Sequence, residues 1–355
     1  MKQNKIKMKK RILLVAVLQL FMVLGSCSSD SGNDSTPVQE EIKGEIKADY
    51  ITDVSYVDDF VIDGNNNVFV AGQISGQVSS YSLRKIDTEG KVTTLKSLDY
   101  INFNLSKLSI SQEGEILLIA RNSTENSDKI FRFENNFSEL NPFYTMKPLS
   151  SPFASKIRLI SICNNNDNTY FVYDSNNIQI KRFIPDLNGD VFVAGSGKNE
   201  IKDGTGLNAG FGYVTKMISQ NNVLYVIDNM STGVSPTFVS SNIRKLEYVN
   251  NEWKVSTLIS TTNEAVYYSD IAFDSKNDLY VLVRGKGIYK LNLLDNSLVL
   301  FKDGEFNVGK GNAHSSLDYK DIDMMKIKGN DMYLAIRSFV IKISDFQTKF
   351  AAAEK

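Results

Sequence analysis

VFVAG at Val68–Gly72, followed after a loop by LRKI at Leu83–Ile86, is a phrase that the chain writes six times. Its other first halves are ILLIA (Ile116–Ala120), YFVYD (Tyr170–Asp174), LYVID (Leu224–Asp228), LYVLV (Leu279–Val283) and MYLAI (Met332–Ile336). The second halves are IFRF (Ile130–Phe133), IKRF (Ile180–Phe183), IRKL (Ile243–Leu246), IYKL (Ile288–Leu291) and VIKI (Val340–Ile343). The first halves start 48, 54, 54, 55 and 53 residues apart. Self-similarity at such a period marks a repeat architecture, in which each unit buries its apolar faces only against its neighbours.

Each unit reads as four short strands. Blade one gives DFVID (Asp59–Asp63), the turn GNNN, VFVAG, a loop, SLRKID, a turn at Thr88–Gly90, and KVTTLK. The turns are rich in Gly and Asn, which tolerate the positive φ of tight hairpins. Four-stranded units repeated radially make a β-propeller, which protects its sheet edges by closing the ring. The expected fold is therefore all-β: a six-bladed β-propeller of four-stranded antiparallel blades, closed by a terminal strand. EIKADYITDV (Glu45–Val54), which alternates polar and apolar residues, is the better candidate for the outer strand of blade six; the tail FQTKFAAA is the other.

VAGSGKNEIKDGTGLNAGFGYV (Val193–Val214), followed by LYVID and NIRKL, resembles the NHL repeat, and FKDGEFNVGKGNAHSSLDY (Phe301–Tyr319) is similar to a degraded copy. The resemblance spans about residues 50–346 and implies a six-bladed propeller. It does not imply one activity, because propellers of this kind serve many roles. NHL-like lyases of peptide amidation hold zinc with histidines, and this chain has one histidine, His314. That activity is not carried over, and a zinc site of several imidazoles is excluded.

Residues 1–11 hold six basic side chains and no acid, and the apolar run Ile12–Leu24 follows. Thirteen residues at 1.5 Å rise make about 20 Å, short of a roughly 30 Å hydrocarbon core. This is the pattern of a signal peptide. The run ends in Leu24-Gly25-Ser26-Cys27, which resembles the lipobox of bacterial lipoproteins. The polar stretch SSDSGNDSTPVQEE after it is too poor in apolar residues to fold and reads as a tether. Its Ser/Asp start resembles the surface-export signals of Bacteroidota lipoproteins. The expected organisation is a signal peptide at 1–26, lipidated Cys27 with a tether over 27–44, and one propeller over 45–350. An outer-membrane lipoprotein at the cell surface, held by a lipid on Cys27, is the expected location.

The chain has 40 basic and 41 acidic residues; without the six basic residues of 1–26 it has 34 against 41, a net charge of −7. A nucleic-acid partner is not expected of such a balance. With Cys27 lipidated, Cys163 has no partner for a disulfide, and its setting LISIC reads as a small buried hydrophobe.

The residues just after the second strands are Gln73, Arg121, Ser175, Asn229, Arg284 and Arg337, polar in every blade. Around a central opening their guanidinium groups suit a carboxylate, sulfate or phosphate; as loop starts they equally suit solvent. The insertion Asn229–Asn242 carries Phe238, and the loop Gln73–Ser82 carries Tyr81, aromatics that fit sugar stacking, partner docking or packing on their own blades. Gln73, Tyr81, Arg121, Asn229, Phe238, Arg284 and Arg337 are thus the candidate ligand-binding residues, with no catalytic constellation. Asp59 and Asp270 begin inner strands of blades one and five, and Asp321 lies near that place in blade six; the other three blades offer Lys107, Leu159 and Thr215. Six-bladed lactonases, which the architecture resembles, hold calcium with such acids, and calcium accepts six to eight oxygens. The same aspartates also suit turn caps.

The first expectation is a non-catalytic binding module, without a cofactor, presenting a propeller face to a glycan, peptide or envelope protein. The alternative is a calcium-dependent hydrolase of lactonase type, with Asp59, Asp270 and Asp321 as its metal ligands.

Overall fold

The computed structural model describes residues 47–353, apart from 54–56, 75–76, 100–102, 112, 123–126, 135–136, 138, 146–156, 166, 186–188, 233–237, 309–315 and 337. The signal-peptide-like segment, Cys27 and its tether, His314 and Arg337 lie outside the described residues, as does the side chain of Phe238.

Among the described residues the chain forms six antiparallel sheets arranged as a six-bladed β-propeller. Their inner strands are Asp59–Ile62, Phe103–Ile110, Leu159–Asn164, Tyr213–Gln220, Tyr268–Phe273 and Met324–Lys328, and each packs beside the next around one axis. The second strands are the quoted first halves. LYVLV and YFVYD are buried at every residue, because a second strand is covered on both faces by its neighbouring blades. Such a strand reads as a continuous apolar run rather than an alternation. The inner hairpins turn on left-handed asparagines, Asn66, Asn168, Asn222 and Asn277, with φ of 64°, 58°, 63° and 64°. Asparagine takes this conformation at little cost.

Closure is made by the N-terminal segment. Lys47–Asp53 lies antiparallel to Phe339–Ile343, as the alternation of Glu45–Val54 predicts, and is the fourth strand of blade six. Two short strands, Glu305–Val308 and Ser316–Asp318, extend that sheet outward, the first parallel to Lys47–Asp53. Blade four also gains a fifth strand, Gly204–Thr205. The tail beyond blade six is a helix, Phe346–Ala353. Phe346 and Phe350 share its inner face at i, i+4 and pack edge-on against Phe301. These two buried aromatics, about one per turn, hold a segment whose amphipathicity is too short to read from sequence.

Candidate functional site

The NHL-like stretch is architecture. Arg244, wholly buried, donates to the carbonyls of Gly210 (2.6 Å) and Lys202 (2.7 Å) and to the carboxylates of Asp228 (2.8 Å) and Asp203 (3.1 Å). Its guanidinium also lies 4.9 Å from the centre of the Phe211 ring. The glycines around it leave no room for a side chain: a Cβ on Gly210 would meet the Glu200 side chain at 2.2 Å, and one on Gly212 the Asn229 carbonyl at 2.5 Å. One arginine thus gathers the inter-blade loop that carries the resemblance, which gives the motif a part in holding the fold.

On the axis, a charged belt has formed where the inner strands pass closest. Opposite Leu282, Ile227, Tyr173 and Ile119 of the second strands stand Asp270, Lys216, Ser161 and Lys107. Each of these four inner strands carries a β-bulge immediately before that residue. A bulge adds one residue and re-aims the side chains after it; Lys107 and Asp270 are where the sequence reading put them, whereas the belt holds Ser161 and Lys216 in place of Leu159 and Thr215. Asp59 completes the belt in blade one, and Lys326 reaches it from blade six. Lys216 Nζ is 2.8 Å from Asp270 Oδ1, and Lys326 Nζ is 3.5 Å from Asp59 Oδ1.

Both carboxylates are fully engaged. Asp59 Oδ2 accepts from the Leu108 amide and Asp270 Oδ2 from the Met325 amide, each at 3.0 Å. Burial alone would raise the Asp59 carboxyl, but Lys326, Lys107, Lys216 and the Leu108 amide hold it down at about 2. Burial lowers Lys326 to about 8, with Lys216 beside it working in the same direction against the pull of Asp59. Lys216 is raised, because Asp270 and Asp59 outweigh its burial.

This belt does not fit a hard cation. Three ammonium groups stand among the two carboxylates, and Asp321 is not with them. It lies exposed on the short 3-10 turn Tyr319–Asp321, beside Glu305 and Ser316. Among the described residues no three His, Cys, Asp or Glu side chains are grouped to hold a metal. Below the belt the axis opens into a cavity of about 380 Å³ lined by inner strands of all six blades. Buried Cys163 is one lining residue, its thiol pushed up to about 12 by burial.

Inner strands begin and second strands end on one face of the ring, the loop face. Arg121 and Arg284 are there as expected, Arg284 exposed. Three residues that the repeat alignment passes over join them. Arg158, at the entry to blade three, lies 3.9 Å from Asp128, whose carboxyl also feels Arg121. Tyr213, 47% exposed, senses the charges of Arg158 and Asp128 and lies near Tyr267, which in turn senses Arg284. Burial raises both phenols, so they remain protonated hydrogen-bonding groups through the neutral range. Strand position places these five residues on that face over blades two to five: Arg121 near the end of Ile116–Asn122, Arg158 just before Leu159–Asn164, Tyr213 at the start of Tyr213–Gln220, and Tyr267 accepting at its carbonyl from the Arg284 amide at 2.9 Å. Arg158 is fixed at its backbone, its amide donating to Asp174 Oδ1 at 3.1 Å and its carbonyl accepting from Ser175 N at 2.8 Å.

Three other expected ligand residues have different roles. Asn229 is buried; it donates to Tyr267 Oη (3.0 Å) and Thr215 Oγ1 (3.3 Å) and accepts from Ser241 Oγ (2.6 Å). Its side chain is thus engaged within the fold, beneath Tyr267. Tyr81 is also buried, packed in the core between blades one and two, with Gln73 Nε2 3.5 Å from its hydroxyl. The loop reading of Gln73–Ser82 fails because strands Val68–Ile74 and Gln77–Ile86 extend through it. In the blade-four insertion, strands run to Ser231 and resume at Phe238.

No protein-family model matches the chain, and no curated protein matches it in sequence. Solved structures of similar fold include a gluconolactonase from Xanthomonas campestris (10% identity, 83% of this chain and 88% of that one, TM-score 0.53). Virginiamycin B lyase from Staphylococcus aureus is another (13% identity, 83% and 96%, TM-score 0.51). PorZ, a bacterial surface component of the type-IX secretion system of Porphyromonas gingivalis, is a third (11% identity, 82% and 46%, TM-score 0.50). At these identities the likeness is of fold alone.

Proposed function

We propose that this chain is a non-catalytic binding propeller, displayed at the cell surface as an outer-membrane lipoprotein through Cys27, and that its loop face takes a carboxylate-bearing ligand such as an acidic glycan. The observation that carries this reading is that Arg121, Arg158 and Arg284 share one face of the ring with Tyr213 and Tyr267, at the ends of second strands and the entries of inner strands. Guanidinium forks match carboxylates in geometry and charge, and aromatic edges between them suit a sugar ring. The lactonase-type alternative draws on a funnel calcium, and the belt of Asp59 and Asp270 speaks against it through its three lysines. The Bacteroidota-like export signal fits the same reading, as does the surface propeller among the structural neighbours.

The test uses a Cys27→Ser form of the mature chain on an array of uronic- and sialic-acid glycans and acidic peptides. Retention that falls tenfold or more in Arg158→Ala with Arg284→Ala supports the proposal. Retention unchanged by the pair, or tight stoichiometric calcium binding abolished by Asp270→Ala, overturns it.

A further inference from the structure

The hairpin face carries a second site, built at the tip of blade four. The hairpin Phe238–Val249 and Glu252–Thr261 has strands of 12 and 10 residues, against 6 and 6 for the outer strands of blade three. Leu224 pairs with Leu246 at the start of the second strand, Val223–Ser231, so Tyr248 and Val249 run past the end of that strand, paired only with the outermost one. The tip is a two-residue turn with both residues left-handed, Asn250 (φ 53°) and Asn251 (φ 65°). Such a turn fixes the register of its strands, and here it sets Tyr248 directly opposite Trp253. Leu246 and Val255, two residues inward on the same face, are buried against blade three. Tyr248 and Trp253 therefore continue the core-facing side of blade four to where blade three no longer covers it.

The result is a groove of about 600 Å³ between the two blades, within the range of small-ligand sites. Trp253, the only tryptophan of the chain, is braced from within by Phe171 (centroids 5.4 Å, 87°) and flanked by Tyr248 (5.4 Å, 54°). Tyr248 is 58% exposed. The opposite wall sets a preset polar cluster beside Ile184, Val191 and Val193. Arg182 Nε donates to Thr169 Oγ1 at 2.9 Å, and its NH2 group is bonded to Asp167. Asn165 Nδ2 donates to Asp167 Oδ1 (2.9 Å) and to Asn222 Oδ1 (3.3 Å).

We infer that this groove binds a neutral oligosaccharide. A rigid aromatic pair offers faces for the apolar side of a pyranose, while carboxylate, amide and guanidinium across from it suit its hydroxyls. The charges decide against other ligands: Arg182 is matched by Asp167, and Glu247 is matched by Lys245 at 2.9 Å. The groove thus offers no excess of positive charge to an acidic glycan, a phosphate or a nucleic acid. It lies on the face opposite Arg121, Arg158 and Arg284 and stands independently of the function proposed above.

The test presents neutral β-glucan, mannan and galactan oligosaccharides to the Cys27→Ser chain on an array, followed by calorimetry on those retained. Tyr248→Ala is expected to weaken binding tenfold or more with the melting temperature unchanged, since the side chain is largely exposed. Tyr248→Phe should keep most of the affinity, and Arg284→Ala all of it. Failure to retain any neutral glycan, retention indifferent to Tyr248→Ala, loss on Arg284→Ala, or Tyr248-dependent retention of peptides instead of glycans would each overturn the inference.

Discussion

The carboxylate of Asp59 accepts a hydrogen bond from the amide of Leu108, 3.0 Å away on the next blade. Asp270 repeats this with Met325 at 3.0 Å, and Asp128 with Leu159 at 2.8 Å. An inner strand has a free edge towards the axis, and a buried amide there costs stability unless it finds an acceptor. These aspartates supply acceptors across the seams. Asp270→Ala leaves both the Met325 amide and the Lys216 ammonium without their partner, and breaking a buried pair costs about 3–5 kcal/mol. Denaturant unfolding should show a loss of that order, and a smaller one for Asp270→Asn, which keeps an acceptor.

The same geometry sets an acid limit. Asp59 is held down at about 2 in the folded chain, against an ordinary value of 3.8. A depressed carboxyl contributes stability that is fully present above the unfolded value and is lost as pH falls through the folded one. The window is therefore pH 4 to 2, and the contribution at neutral pH is about 2 kcal/mol. Asp59→Asn should be less stable at pH 7, yet lose less between pH 4 and pH 2 than the parent does. Parallel slopes for the two proteins in that window would contradict the assignment.

Arg244 and Arg284 separate fold from site. Arg244 serves four partners without any exposure, and its removal strands the carboxylate of Asp228 in the core. Burial already pushes that carboxyl up to about 6 against the pull of Arg244. Arg244→Met should lower stability by about 3–5 kcal/mol or prevent folding, with any binding defect following the unfolding. Arg284 is exposed, so Arg284→Ala should change stability by less than about 0.5 kcal/mol while reducing retention of acidic ligands. Calorimetric melting beside the array distinguishes the two patterns.

The repeat was legible because a second strand covered on both faces must be apolar throughout; YFVYD and LYVLV announce themselves without any partner in view. The closing strand was legible for a related reason, since Glu45–Val54 alternates as a strand with one covered face does. Arg121 and Arg284 could be read because they end those same strands. Arg158, Tyr213 and Tyr267 could not, for Arg158 and Tyr267 stand in the connections between blades and Tyr213 opens an inner strand, where the preceding connections of the six copies differ in length. Lys216 was hidden by a bulge, which shifts the ring by one residue without leaving a mark in composition. Tyr81 misled because an aromatic between serines looks like a loop until its strand is seen to run on.

The N-terminal strand carries the last prediction. Lys47–Asp53 pairs with Phe339–Ile343 on one side and Glu305–Val308 on the other, so it joins blade six to the two strands outside it. A chain beginning at Val57 would expose the edge of Phe339–Ile343, a strand buried at four of its five positions. Unpaired apolar edges recruit other chains. The shortened protein should therefore melt earlier, lose its sharp transition and elute partly as aggregates, while one beginning at Lys43 should match the full-length chain. A synthetic peptide of residues 43–55 should restore the transition in trans, because the missing element contributes a strand and no part of the connection between blades. A chain lacking residues 1–56 that melts at the full-length temperature as a monomer would mean that the ring is held by the seams alone.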